Sequence, residues 1–239
     1  MYIESKGLDE MTSVYSSQYN EDEKAEALDI LEQITDKKMD PKVVFDRYSQ
    51  ISHQYEKAMA VCNYNGPKET AATVAQLFPS NRNNVCMLDV AAGTGLCASE
   101  LKKYNFLELA ALDASEGMLS EAKKKKLYGR YIIGVLGENA LDINDDTYDA
   151  VIICGLSTDI MRRLPIQAFE TLIRIVKKGG YVVNTSFYTT FTDGHIETED
   201  FRGHMRTLES QGKWKQVKVR RFHEYLQGHD GAVSVHRIC

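Results

Sequence analysis

The sequence predicts an α/β fold: a doubly wound, mostly parallel, seven-stranded sheet with helices on both faces and a C-terminal antiparallel strand pair. Three observations lead there. Short apolar runs at 85–90, 107–112, 131–136, 148–155 and 181–187 read as buried strands. Segments with helical spacing lie between most of them, and that alternation gives a parallel sheet covered on both faces. After 187 the rhythm breaks. Runs at 215–225 and 232–238 follow one another without a helix between them and read as an antiparallel pair, joined through 226–231 with its two glycines.

The elements follow in order. Residues 1–40 are polar; 21–35 carry Ala25, Leu28, Leu31 and Ile34 at helical spacing, which fits an amphipathic helix or a loosely ordered arm. Pro41 suits a first helical turn with Asp40 as its N-cap, and Val44, Tyr48, Ile51 and Tyr55 continue the helix. A second helix over 67–78 is ended by Pro79 and a polar loop at 80–84. Helices are further expected at 96–104, 115–127, 165–176 and 199–211, and a turn at Lys177-Lys178-Gly179-Gly180. The charge run Lys123–Lys126 falls at a helix end, where it reads as a solvated face complementing the negative terminus. The domain reading is an N-terminal segment, 1–40, before one domain, 41–239.

Composition narrows the function. With 239 residues, 43% hydrophobic and 26% charged, the chain builds one sizeable core. A net charge of −5 lacks the electrostatic footprint of a general nucleic-acid binder. No apolar run approaches the ~20 residues that span a bilayer, so no membrane partner is expected. The first residues lack a basic stretch followed by an apolar one, so the expected location is cytoplasmic. Cys62, Cys86, Cys97, Cys154 and Cys239 are odd in number with no C-x-x-C pair. They read as reduced thiols, with Cys86, Cys97 and Cys154 as inert core residues, and no metal site is expected.

Chemistry concentrates in Leu88-Asp89-Val90-Ala91-Ala92-Gly93-Thr94-Gly95. A strand delivers small residues into a helix N-terminus, where a ligand can press against backbone and unpaired amides. Asp113 closes the next strand, twenty residues after Gly93, where an acid is placed to take the two hydroxyls of a ribose. The unit 85–113 is therefore expected to grip an adenosine-containing cofactor. Gly93-x-Gly95-x-x-Ala98 also fits the dinucleotide pattern. Against a dinucleotide stand Asp89, whose carboxylate would repel a pyrophosphate, the earlier Ala91-x-Gly93-x-Gly95 register, and the closing antiparallel pair.

The stretch 88–95, Leu112-Asp113-Ala114-Ser115-Glu116-Gly117-Met118-Leu119, Thr147-Tyr148-Asp149-Ala150-Val151 and Lys178-Gly179-Gly180 resemble, in order and spacing, the motifs of class I S-adenosylmethionine-dependent methyltransferases. The resemblance covers about residues 43–239. More narrowly, the Tyr48…Tyr55 segment, the Gly137 loop and the Trp214 region look like the Williams–Beuren-region methyltransferase-like proteins.

The resemblance implies S-adenosylmethionine as cofactor, with S-adenosylhomocysteine as product. It places Ala91, Gly93 and Gly95 beside the methionyl part, and Asp89 near the amino group. It places Asp113 on the ribose, Ala114 and Met118 on the adenine faces, and Glu138 and Asn139 at the adenine edge. Gly137 departs from the pattern, standing where many members have Asp. Gly155 and Leu156 would line the pocket beside the sulfonium. The helices within 41–80 would form a lid, bringing Tyr48 and Tyr55, seven residues apart on one helix side, over the cofactor.

No catalytic residue is marked. The sequence after the fourth strand, Cys154-Gly155-Leu156-Ser157-Thr158-Asp159, lacks the Asn/Asp-Pro-Pro-Tyr/Phe stretch that holds a flipped base. His53 and His195 read as ordinary surface histidines more readily than as substrate-facing ones. The expected function is methyl transfer to a small molecule or a protein side chain. A cofactor-binding protein without catalysis and an NAD-dependent oxidoreductase are the alternatives.

Overall fold

Period-two patterning fixes which strand residues face which helices. In the computed structural model, which describes residues 18–35, 40–137, 141–195 and 198–239, the first strand is β1 (Met87–Val90). Its Met87 packs with one group of helices, and its Leu88 and Val90 pack with the other. Alternation continues in β2 (Leu109–Asp113) and β4 (Tyr148–Cys154), so both faces of the sheet are apolar and both are covered.

One face carries α1 (Glu21–Thr35), α2 (Pro41–Val61), α3 (Gly66–Leu77), α4 (Leu96–Lys103) and α5 (Glu116–Lys124). The opposite face carries α6 (Thr158–Arg163), α7 (Ile166–Ile175) and α8 (Glu199–Ser210). With β3 (Arg130–Ile133), β5 (Val176–Phe187), β6 (Trp214–Leu226) and β7 (His229–Ile238), the seven strands run in the order β3-β2-β1-β4-β5-β7-β6. β1 to β5 are parallel, and β7 pairs antiparallel with both β5 and β6. The order reverses between β1 and β4. A crevice opens there beyond the strand ends, the usual ligand position in such sheets.

Local chemistry accounts for the boundaries. Asp40 caps α2 by accepting from the Lys42 amide at 2.9 Å, with Pro41 in the first turn. Ala27, Ile30, Leu31 and Ile34 of α1 are buried in the same core as α2, so 21–35 is a packed helix. Ser115 caps α5 through the Met118 amide at 3.2 Å. Lys123 to Lys126 are exposed, as a solvated helix end should be.

The helix expected at 115–127 ends at Lys124, and four further differences from the sequence reading have a local cause. β3 stops at Ile133, because 134–136 leave the sheet to line the crevice. The short α6, capped by Ser157 on the Ile160 amide, was not anticipated, because six residues are too few to show a period. The expected turn at 177–180 is instead a bulge inside β5: Tyr148 pairs with Val176, and Ala150 with Tyr181. Asp149 secures it, accepting from Lys177 Nζ and from the Cys86 amide, each at 2.8 Å. The β6–β7 connection shrinks to Gln227-Gly228, both with positive φ, a two-residue hairpin turn. Gly231 lies in β7 instead, where a Cβ would come within 2.5 Å of the Phe222 ring.

Candidate functional site

Two adjoining cavities lie at the reversal between β1 and β4. The outer one, with its open mouth, encloses about 830 Å³. Its walls come from the β1 loop (Val90, Ala91, Gly93), the end of β2 (Leu112, Asp113, Ala114) and Met118 of α5. The post-β3 segment, the post-β4 segment with Gly155 and Leu156, and Tyr48 and Tyr55 of α2 complete them. The inner cavity, about 310 Å³, is lined by Asp89, Thr94, Cys97, Tyr64 and Pro67, among others. Tyr55, Ala91, Gly93 and Cys154 border both, and so mark the junction.

One acid lines each cavity, Asp113 the outer and Asp89 the inner. Asp113 accepts from the Gly93 amide through Oδ2 and from the Ser115 amide through Oδ1, each at 2.8 Å. Burial raises its pKa, and hydrogen bonds from Ser115, Gly93 and Ala114 oppose the rise. Asp89 is 2% exposed and accepts from the Tyr128 hydroxyl at 2.6 Å. Burial pushes its carboxyl up to about 7, against the lowering effect of that hydrogen bond and with a small addition from the Asp113 charge. Beside it the Thr94 hydroxyl is buried and has no hydrogen-bond partner among the described residues. A buried polar atom left open this way is costly unless something else meets it.

Of the sequence-predicted residues, Ala91, Gly93, Asp113, Ala114, Met118, Gly155, Leu156, Tyr48 and Tyr55 meet at the outer cavity, and Asp89 at the inner one. Glu138 and Asn139 lie outside the described residues. Gly95 is not brought to either cavity. Its backbone φ is +89°, and a Cβ there would come within 2.5 Å of Leu127 Cδ1, so it gives room to the protein's own chain. Gly93, by contrast, has φ +56° and open space where a Cβ would stand. Tyr48 and Tyr55 have ring centroids 6.2 Å apart. His53 and His195 are exposed and border neither cavity.

Cys154 departs from the inert core thiol expected. It ends β4, where the strand leaves the sheet, so its side chain borders both cavities. Its Sγ lies 3.3 Å from Thr70 Oγ1 and 3.4 Å from the Tyr64 hydroxyl. Burial raises its pKa, but hydrogen bonds from Cys97, Thr70 and Tyr64 outweigh that and lower it. Sequence reasoning also missed Tyr64 and Tyr128. Neither falls in a motif, and only the fold brings them to the β1 and β4 strand ends.

Comparison with known families adds the deciding observation: the family described as "Methyltransferase domain" matches residues 87–180, the stretch from β1 into the β5 bulge. That stretch of the chain is similar to the methyltransferase domain family. Human methyltransferase-like protein 27 is 32% identical over 168 residues, which take in 70% of this chain and 66% of that relative, just under two thirds of its length. Among solved structures, the fold is similar to a putative methyltransferase in complex with the Haloferax volcanii Trm112 methyltransferase activator. The TM-score is 0.59 at 14% identity, over 81% of this chain and 95% of that one. It is also similar to a TehB-like SAM-dependent methyltransferase from Corynebacterium glutamicum, with a TM-score of 0.56 at 16% identity, over 81% and 100% of the two chains. The fold is thus the Rossmann-like fold of class I methyltransferases, and the two cavities fall on either side of the β1 loop. Among the described residues no helix is long and apolar enough to cross a membrane.

Proposed function

We propose that the protein is an S-adenosylmethionine-dependent methyltransferase acting on a small molecule or a protein side chain. The observation that carries this is the pair of adjoining cavities, one lined by Asp113 and the other by Asp89, with a shared junction between them. A ligand with a ribose at one end and a cationic amino group at the other matches that pattern. A dinucleotide does not, because its pyrophosphate would approach the Asp89 carboxylate behind the loop. Thr94 supports the same reading, since the amino-acid end of the cofactor would give its open hydroxyl a partner.

In this reading Asp113 and the Gly93 backbone hold the ribose side, and Ala114, Met118 and Leu156 pack on the adenine. Asp89 faces the amino group from the inner cavity. When bound, S-adenosylmethionine supplies an electrophilic methyl on a positively charged sulfur that leaves as a neutral thioether. Tyr55 and Cys154, at the junction of the cavities, fix the line along which an acceptor approaches and keep water away from it. Tyr48 and Tyr55, carried on α2, act as the lid.

The test is calorimetry against S-adenosylmethionine, S-adenosylhomocysteine and NAD(H), followed by transfer of a labelled methyl into a cell extract. Binding of both sulfur compounds and labelling of an acceptor are expected. Binding of NAD(H) in their place overturns the proposal. Binding of the sulfur compounds with no acceptor labelled by any extract returns the chain to a binding role.

A further inference from the structure

We infer that Tyr128 is a positioning residue for the amino-acid end of the cofactor: its hydroxyl fixes the Asp89 carboxylate, and Gly95 is the gap that lets this part of the chain pass beneath the loop. The inference rests on the methyltransferase reading above.

The geometry is specific. α5 ends at Lys124, and Lys126 takes a positive φ of 53°, which turns the chain back under the β1 loop. Leu127 and Tyr128 follow, both buried. Leu127 occupies the space a Gly95 side chain would need, and Tyr128 Cε2 would lie 3.4 Å from the same Cβ. The second loop glycine therefore makes room for protein, where the first leaves room for ligand. The Tyr128 ring is held in turn. Its own amide donates to the Tyr131 hydroxyl at 3.2 Å, and the two rings meet edge to face at 5.5 Å. The outcome is a hydroxyl 2.6 Å from Asp89 Oδ2.

A buried carboxylate that must meet a cation has two requirements. It has to point at one place, and part of its hydrogen-bonding capacity must stay open to the ligand. Tyr128 meets both. It is the donor to Asp89 among the described residues, and one hydroxyl leaves most of the carboxylate's lone pairs unclaimed. A donor that served only to satisfy the acid would have no bearing on which end of a ligand binds well. A donor that aims the acid would affect only ligands carrying the amino group.

The experiment compares three ligands by calorimetry: S-adenosylmethionine, S-adenosylhomocysteine and 5′-methylthioadenosine, which keeps the adenosine and sulfur but lacks the amino-acid end. For Tyr128→Phe, affinity for the first two should fall about tenfold, the size of a lost hydrogen bond to a charged group. Affinity for 5′-methylthioadenosine should stay within about twofold of the unsubstituted protein, within the range of a peripheral change. In an Asp89→Asn background the same substitution should add little, because the two residues act as one unit. An equal loss for all three ligands, or full additivity with Asp89→Asn, overturns the positioning role and leaves the methyltransferase reading intact. Failure of the unsubstituted protein to bind any of the three overturns both. A melting curve for Tyr128→Phe close to that of the parent shows that the comparison is made on folded protein.

Discussion

The amide of Gly93 donates to Asp113 Oδ2 at 2.8 Å, across twenty residues of chain. The carboxylate that faces the outer cavity is therefore also the clamp that holds the β1 loop against the end of β2, with its other oxygen on the Ser115 amide. Asp113→Ala removes both bonds at once. Hydrogen bonds to charged groups contribute roughly 1.5–3 kcal/mol each and are not additive when they share a carboxylate. A net loss of about 2 kcal/mol, or about 4–8 °C in Tm for a chain of this size, is expected. Affinity for S-adenosylhomocysteine should fall at least about tenfold, because ribose contact and loop shape go together. Asp113→Asn, which keeps one acceptor oxygen, should fall between. Thermal melts and calorimetry on the two variants check this.

Asp89 and His236 should impose opposite pH dependences on stability. Burial holds the Asp89 carboxyl near 7 in the fold, against an ordinary value of 3.8. Its stabilising contribution is complete below pH 3.8 and is lost as pH rises to about 7, in total about 4 kcal/mol. His236 is 2% exposed and lies against Trp214, ring centroids 4.6 Å apart. Burial lowers its pKa from 6.5 to about 4. Its contribution is complete above pH 6.5 and is lost as pH falls to about 4, in total about 3 kcal/mol. Between pH 4 and 6.5 the two slopes nearly cancel in the parent protein. Asp89→Asn should unmask the histidine, so that Tm climbs with pH across that window. His236→Phe should unmask the acid, so that Tm declines. Melts at half-unit pH steps read both slopes, and two flat profiles would contradict the assignment.

Much of this was legible in the sequence because it rests on short-range pattern. Apolar runs such as Ala150-Val151-Ile152-Ile153-Cys154 and the alternation of strands with helices suffice for a parallel sheet, and the spacing of Gly93 and Asp113 suffices for the cleft. What escaped depends on long-range placement. The role of Gly95 is decided by Leu127, thirty-two residues away in sequence, and no local signal separates a glycine that admits a ligand from one that admits a leucine. Tyr64 and Tyr128 sit in connections between elements. The Lys177–Gly180 stretch has turn chemistry, yet it forms a bulge because β4 continues to pair on either side of it.

Tyr55 borders both cavities, so its ring and its hydroxyl can be separated by substitution. Burial raises the pKa of its phenol well above the ordinary range, with smaller additions from Tyr48, Tyr225, Cys154 and Asp113. The hydroxyl therefore stays protonated at neutral pH and is no general base. Tyr55→Phe should retain cofactor affinity within about twofold, whereas Tyr55→Ala, which strips a half-buried aromatic surface, should weaken it about tenfold or more. A collapse of turnover in Tyr55→Phe with unchanged affinity would give the hydroxyl a part in aligning the acceptor. Calorimetry paired with single-turnover labelling distinguishes the cases.

A glycine of α5 sets how closely α2, the proposed lid, packs against the domain. Gly117 lies in the first turn of α5, where helix propensity alone favours alanine by up to about 1 kcal/mol. A Cβ there would come within 2.7 Å of Ser49 Cα and Ser49 O in α2, and backbone cannot yield as a side-chain tip can. The contact is reinforced by the 2.7 Å hydrogen bond between the Ser49 and Ser115 hydroxyls. Ser49 follows Tyr48, so anything that pushes α2 outward moves Tyr48 away from the cleft it lines. Gly117→Ala should therefore lower Tm and weaken S-adenosylhomocysteine binding several-fold, against the direction of its propensity. Gly203, in α8, has nothing within 4 Å of its added Cβ. Gly203→Ala should raise stability by up to about 1 kcal/mol and leave binding unchanged. Opposite signs for the same substitution in two helices would locate the difference in the α2–α5 contact, since propensity is common to both. Two stabilised variants with equal affinity would mean that α2 is free to move and that the lid does not depend on this joint.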